Sequence, residues 1–174
     1  MKKSFVAVLA LLLLLSIPSF GQMKFTLNGG YQMPTGTFKD GAKNGFGGSL
    51  SLDYSLPLLP VSLAFTAGYN KWNFKDNLPV SGYNFHSIPL MAGVRYYSGG
   101  PYVGADVGFS ISNSNAPGAS SSTDFTFSPI IGYRFGLTPV GITSLDFNVR
   151  YWNISSSGSS INWIGFNAGI AFGL

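Results

Sequence analysis

The chain has 174 residues, room for one domain or two small ones. Only 9% are charged, against about 25% in ordinary soluble domains, while Gly (23 residues) and aromatics (16%) are abundant. A hydrophobic share of 45% excludes a disordered tail, and a chain without Glu and with few Lys is a poor match for a soluble helical enzyme.

Residues 1–21 read as an export signal. Lys2 and Lys3 give a positive start, and Phe5 to Leu15 is an unbroken apolar run. Pro18 ends the run, and Ser19-Phe20-Gly21 supplies small residues at −3 and −1 of a cleavage site. A retained anchor is disfavoured, because the run is about half the ~20 residues of a spanning helix. No Cys follows, so no lipid anchor is expected, and a chain without Cys has no disulfides to hold it in an oxidising compartment. Without Lys2 and Lys3 the mature chain, 22–174, carries a formal charge of only +2. It has no Lys/Arg cluster, so no nucleic-acid partner is expected.

Period-two alternation dominates the remainder and predicts eight strands. In 23–33, Phe25, Leu27, Gly29 and Tyr31 share one face, with Lys24, Thr26, Asn28 and Gln32 on the other. In 45–56, Phe46, Leu50, Leu52 and Tyr54 oppose Ser49, Ser51 and Asp53. In 61–71, Val61, Leu63, Phe65 and Tyr69 oppose Ser62, Thr66 and Asn70. In 85–97, Ile88, Leu90, Val94 and Tyr96 oppose Ser87 and Arg95. In 101–111, Val103, Val107, Phe109 and Ile111 oppose Asp106 and Ser110. In 124–135, Phe125, Phe127, Ile131 and Phe135 oppose Thr126, Ser128 and Arg134. In 142–152, Leu145, Phe147, Val149 and Tyr151 oppose Asp146, Asn148 and Arg150. In 161–174, Ile164, Phe166, Ile170, Phe172 and Leu174 oppose Asn167 and several Gly.

Every strand charge lies on the small polar face. Such a face is a poor sandwich core but suits a barrel turned inside out, with lipid outside and polar groups within. Backbone amides in hydrocarbon need partners, so the sheet must close. The expected fold is therefore all-β, an eight-stranded antiparallel transmembrane up-and-down barrel. Short connections at 57–60, 98–100 and 136–141 alternate with longer ones at 34–44, 72–84, 112–123 and 153–160. That is the rhythm of periplasmic turns and external loops, and it places the protein in the bacterial outer membrane.

Ile88-Pro89-Leu90-Met91-Ala92-Gly93-Val94-Arg95-Tyr96-Tyr97, Pro101 to Gly108, Ile130 to Phe135 and the closing run Gly165 to Leu174 resemble the small outer-membrane β-barrel family, the OmpA- and OmpX-like barrels. The resemblance covers the whole mature chain. It implies eight strands, and a terminal strand read by the barrel-assembly machinery. Such strands usually end in Phe or Trp, where this one has Leu174.

Asp53, Asp106 and Asp146 against Arg95, Arg134 and Arg150 predict a cancelling interior salt-bridge network, most of it toward the periplasmic half. Its expected role is structural, because an eight-stranded interior is only just wide enough for side chains; a gated ion path is the rival. Aromatics near the strand ends (Phe25, Tyr54, Tyr96, Tyr102, Phe135 and Phe172 at one end, Tyr31, Phe46, Tyr69 and Tyr151 at the other) read as two girdles. Trp72 and Trp152 are placed at the external mouth. Pro89 and Pro129 predict bulges or local breaks.

No catalytic, cofactor or metal site is expected. The only His, His86, is next to Ser87 and so on the opposite face, with no carboxylate spaced to orient it. Asn153-Ile154-Ser155 matches a glycosylation acceptor, a pattern common by chance. The expected function is a non-enzymatic structural or surface-interaction role. The alternatives are a narrow channel for ions or small solutes and, with opposite facing, a soluble lipocalin-like barrel. Expected partners are outer-membrane lipids, lipopolysaccharide through Lys39, Lys43, Lys71 and Lys75, and the assembly machinery. The expected state is a monomer, since a closed barrel has no edge to pair.

Overall fold

The structure, a computed structural model, describes residues 23–77, 82–137, 142–156 and 159–173. The expected export signal, 1–21, and Leu174 lie outside them. Eight antiparallel strands form one closed ring in chain order. They are β1 (Met23–Thr35), β2 (Gly45–Ser55), β3 (Val61–Asn73), β4 (Asn84–Tyr97), β5 (Pro101–Ser114), β6 (Ser122–Gly136), β7 (Thr143–Ser156) and β8 (Ser159–Gly173). A single-turn helix, α1 (Phe38–Gly41), sits between β1 and β2. These are the eight segments that alternation predicts. β1 pairs with β8 from Lys24↔Gly173 to Thr35↔Asn162, so no strand edge is left open.

The facing is inverted relative to a soluble protein. Leu27 (63% exposed), Phe46 (71%) and Phe109 (59%) stand on the outer wall, whereas Thr26, Asp106 and Asp146 are buried inside. Such a wall is stable only in an apolar solvent, and a ring in which every strand has two neighbours is how a β-structure satisfies its backbone there. Outward rings stand along the whole wall, Phe109 and Phe127 at mid-strand as well as Tyr31, which packs edge-on against Phe46 at 5.7 Å near one end. Tyr102 departs from the girdle: it points inward and is 3% exposed.

At one end the strands are joined by short turns, 56–60 and 98–100, and by the 137–142 connection. The other end carries the 36–44 and 115–121 loops and the connection from β3 to β4. The predicted fourth loop, 153–160, is instead mostly strand, because β7 and β8 stay paired out to Ser156↔Ser159. A ladder that continues to supply hydrogen bonds outweighs the loop-like composition of a Ser-rich stretch.

Pro89 and Pro129 each leave a gap in one ladder without shifting its register. The β3–β4 pairing skips the rungs at Pro89 and resumes in phase at Asn70↔Ser87. The β6–β7 pairing skips Ser128 and Pro129 and resumes at Ile130↔Arg150. These are breaks, not bulges, since no extra residue is inserted. In the second gap the Ser128 hydroxyl donates to the Tyr151 carbonyl at 2.8 Å, replacing part of what Pro129 cannot supply.

Candidate functional site

The barrel interior holds the chain's polar and charged groups in two layers. In the half nearer the turns are two ion clusters. In the first, Arg134 of β6 donates from Nη2 to Asp53 of β2 (2.6 Å) and from Nε to Asp146 of β7 (2.9 Å). Its Nη2 also donates to Thr26 at 3.0 Å. Tyr97 and Tyr102 complete the carboxylates, donating to Asp53 at 2.7 Å and Asp146 at 3.0 Å. The guanidinium carbon also lies 5.0 Å from the Tyr97 ring centre and 5.4 Å from that of Tyr102. Two carboxylates and one guanidinium give this cluster a net charge of −1.

The second cluster has the opposite balance. Asp106 takes a two-pronged bond from Arg95 (2.5 and 2.7 Å) and a third from Arg150 (2.5 Å). Thr66 adds a hydroxyl at 3.3 Å. Two guanidiniums on one carboxylate carry +1. Buried charges are tolerable only when paired and hydrogen-bonded, and here the clusters balance each other across the lumen. All six residues singled out from the sequence are brought together, as two triplets.

The width of these groups is accommodated by glycine on the neighbouring strand. Asp106 is the register partner of Gly93, Arg95 of Gly104, and Tyr102 of Gly132. A Cβ on Gly93 would meet the Ala105 carbonyl and Asp106, and one on Gly132 would meet the Tyr102 ring. A polar relay, Gln32 to Asn167 (3.0 Å), Asn167 to Asn148 (3.0 Å) and Asn148 to Asp146 (2.7 Å), runs up from the first cluster.

The half nearer the loops holds an aromatic cluster, set among buried Asn70, Ser87, Ser110 and Thr126. Trp72, Trp152 and Trp163 are almost fully buried and pack with Met91, Ile154 and Ala42. Trp163 stacks on Trp152 at 5.4 Å and meets Trp72 edge-on at 4.8 Å. Phe38 of α1 packs against Trp72 at 5.4 Å and Phe85 at 5.6 Å, so the first loop folds over this plug. The plug rests on the ion layer, with Arg150 4.9 Å from the Trp152 ring. Trp72 and Trp152 are therefore not mouth residues, as the sequence reading has them. Their side chains turn inward, each two residues beyond a buried polar residue of the same face, Asn70 and Arg150.

His86 stacks on Tyr69 at 5.9 Å, while Ser87 is buried in the wall. Among the described residues no three His, Cys, Asp or Glu side chains gather as metal ligands. Lys43 pairs with Asp76 at 2.8 Å on the loop surface. Lys71 stands on the outer wall, between its register partners Phe46 and His86.

The sequence profile described as "Outer membrane protein beta-barrel domain" matches residues 7–172. No curated protein matches the chain in sequence. Among solved structures, Neisserial surface protein A superposes with a TM-score of 0.64 at 18% identity, covering 88% of this chain and 97% of that one. OprG from Pseudomonas aeruginosa gives 0.56 at 12% identity, over 90% and 98%. Ail, the attachment invasion locus protein of Yersinia pestis, gives 0.55 at 15% identity, over 88% and 100%. At these identities the likeness is one of fold.

Proposed function

The chain belongs to the outer membrane protein beta-barrel domain family, a protein of the bacterial outer membrane, and from that premise we propose that it is a sealed, non-enzymatic barrel acting through structure and its loop surface. In such barrels the turns face the periplasm and the loops face outward. That puts the aromatic plug beneath the cell surface and the ion layer toward the periplasm.

The observation that carries this reading is the pair of stoppers in series. An ion or solute would have to part Trp72 from Trp163 and then separate Arg134 from Asp53. An eight-stranded interior has little room beyond its own side chains. The six ion-paired residues act as internal struts. Three of the chain's carboxylates are committed to guanidiniums, and the single His lies away from them on the wall, which supports the absence of catalysis. Lys39, Lys43, Lys71 and Lys75 at the loop end are the proposed contacts to lipopolysaccharide phosphates. β8, which closes the ring against β1, is the proposed signal for the assembly machinery, and the closed wall favours a monomer.

Planar-bilayer recording tests the seal. The purified wild-type barrel is expected to give no unitary current steps. Trp72→Ala with Trp163→Ala should stay silent, because the ion layer remains. Adding Arg134→Gln to that pair should open a small conductance. Regular steps from the wild type would overturn the sealed reading in favour of a narrow channel.

A further inference from the structure

Below the tryptophans the interior charges do not cancel once Lys24 is counted. Lys24, Arg95, Arg134 and Arg150 face Asp53, Asp106 and Asp146, one cation in excess. Among the described residues the three arginines hold all the interior ion pairs, and Lys24 holds none. Lys24 is the register partner of Asp53, at the turn end of β1, and brings the Arg134 cluster from −1 to neutral, so the mouth does not repel an anion.

Lys24 also lines a cavity of about 330 Å³ at the turn end of the barrel. Arg134 lines the same cavity, and its side chain is only 10% exposed. Its bonds to Asp53, Asp146 and Thr26 leave from Nε and Nη2, and Nη1 takes part in none of them. Ser55, Ser62 and Ser144 add hydroxyls to the lining, beside the Tyr97 hydroxyl that donates to Asp53. A water's share of liquid volume is about 30 Å³, so the space suits a phosphate or a small organic acid with a few waters.

From Lys24, the Nη1 edge of Arg134 and the hydroxyl-lined cavity we infer that the periplasmic mouth is a binding site for a small anion, a phosphate or carboxylate group held mainly by Lys24. Low-dielectric walls strengthen such an attraction, and charge-assisted bonds from an ammonium are among the strong ones. The ligand enters and leaves by the same mouth, because the ion layer lies beyond it. The name of the compartment rests on the orientation argued above; the site itself does not.

The test is amide NMR of the barrel in phosphatidylcholine nanodiscs, titrated with inorganic phosphate at constant ionic strength. The expected result is saturable shifts at Lys24, Ser62, Gly99 and Ser144, with none at Phe38 or Phe85. Lys24→Gln should weaken binding about tenfold, the scale of one charge-assisted bond. Lys24→Arg should restore most of it. Matching shifts that need phosphatidylglycerol in the disc, and not free phosphate, would assign the same site to a lipid headgroup. No saturable shift in either disc, or equal affinity in Lys24→Gln, would overturn the site. Current steps in the bilayer experiment would sink the sealed barrel and leave this result standing.

Discussion

Arg134 and Asp53 stand on diametrically opposed strands of the ring, β6 and β2, and are joined at 2.6 Å. A bond of that kind fixes the bore from within. It sets the distance between two walls that share no ladder. Arg134 reaches Thr26 of β1 and Asp146 of β7 as well, so one guanidinium ties four strands.

Arg134→Ala should therefore destabilise the barrel by about 3 kcal/mol or more, because it strands two buried carboxylates. Adding Asp53→Asn and Asp146→Asn should recover part of the loss. Urea unfolding in lipid vesicles, followed by tryptophan fluorescence, measures both. If the bonds gate an ion path instead, unfolding will be unchanged and conductance will rise.

Glycine substitutions should separate the two faces of the wall. Gly93→Ala brings a Cβ against the Ala105 carbonyl and Asp106, so a loss of roughly 1–3 kcal/mol is expected from overpacking. Gly29→Ala finds its nearest neighbour, the Gly47 carbonyl, at 3.9 Å, and should change stability by less than about 0.5 kcal/mol. The same unfolding assay compares them, and equal effects would contradict the packing described for Asp106.

The four lysines near the loops should matter to lipid and little to folding. Replacing Lys39, Lys43, Lys71 and Lys75 by Gln is expected to abolish retention on immobilised lipopolysaccharide. The unfolding midpoint should hardly move, since the Lys43–Asp76 pair is exposed and such pairs contribute about 0–1 kcal/mol. Undiminished retention would remove lipopolysaccharide from the proposed partners.

The strands were legible because each one meets two different solvents, lipid and lumen, and alternation records both. The ion-pair residues were legible for the same reason: a charge deep inside a strand goes to the lumen, and Lys71, near the loop end of β3, is the exception that stands on the outer face. The plug was not. Trp72, Trp152 and Trp163 sit at inward positions, yet an inward face read as uniformly polar leaves no place for a large ring. In the upper lumen few charges need partners, and aromatic bulk fills it instead. Lys24 stood on the inward face in the sequence reading, but a count confined to Asp and Arg made the lumen look balanced. Only the cavity beside it gives that cation a consequence.

The seam between β1 and β8 pairs from residue 24 to residue 35, as extensively as the seams whose strands are joined by a turn. The wall therefore has no privileged beginning. Joining Gly173 to Met23 through a short linker and cutting the backbone at Gly99 would relocate the ends along the circle without removing a rung. A permuted chain of that kind, still opening on the turn-side rim, is expected to refold in detergent into the same cylinder, with β4 in place of β8 as its terminal strand.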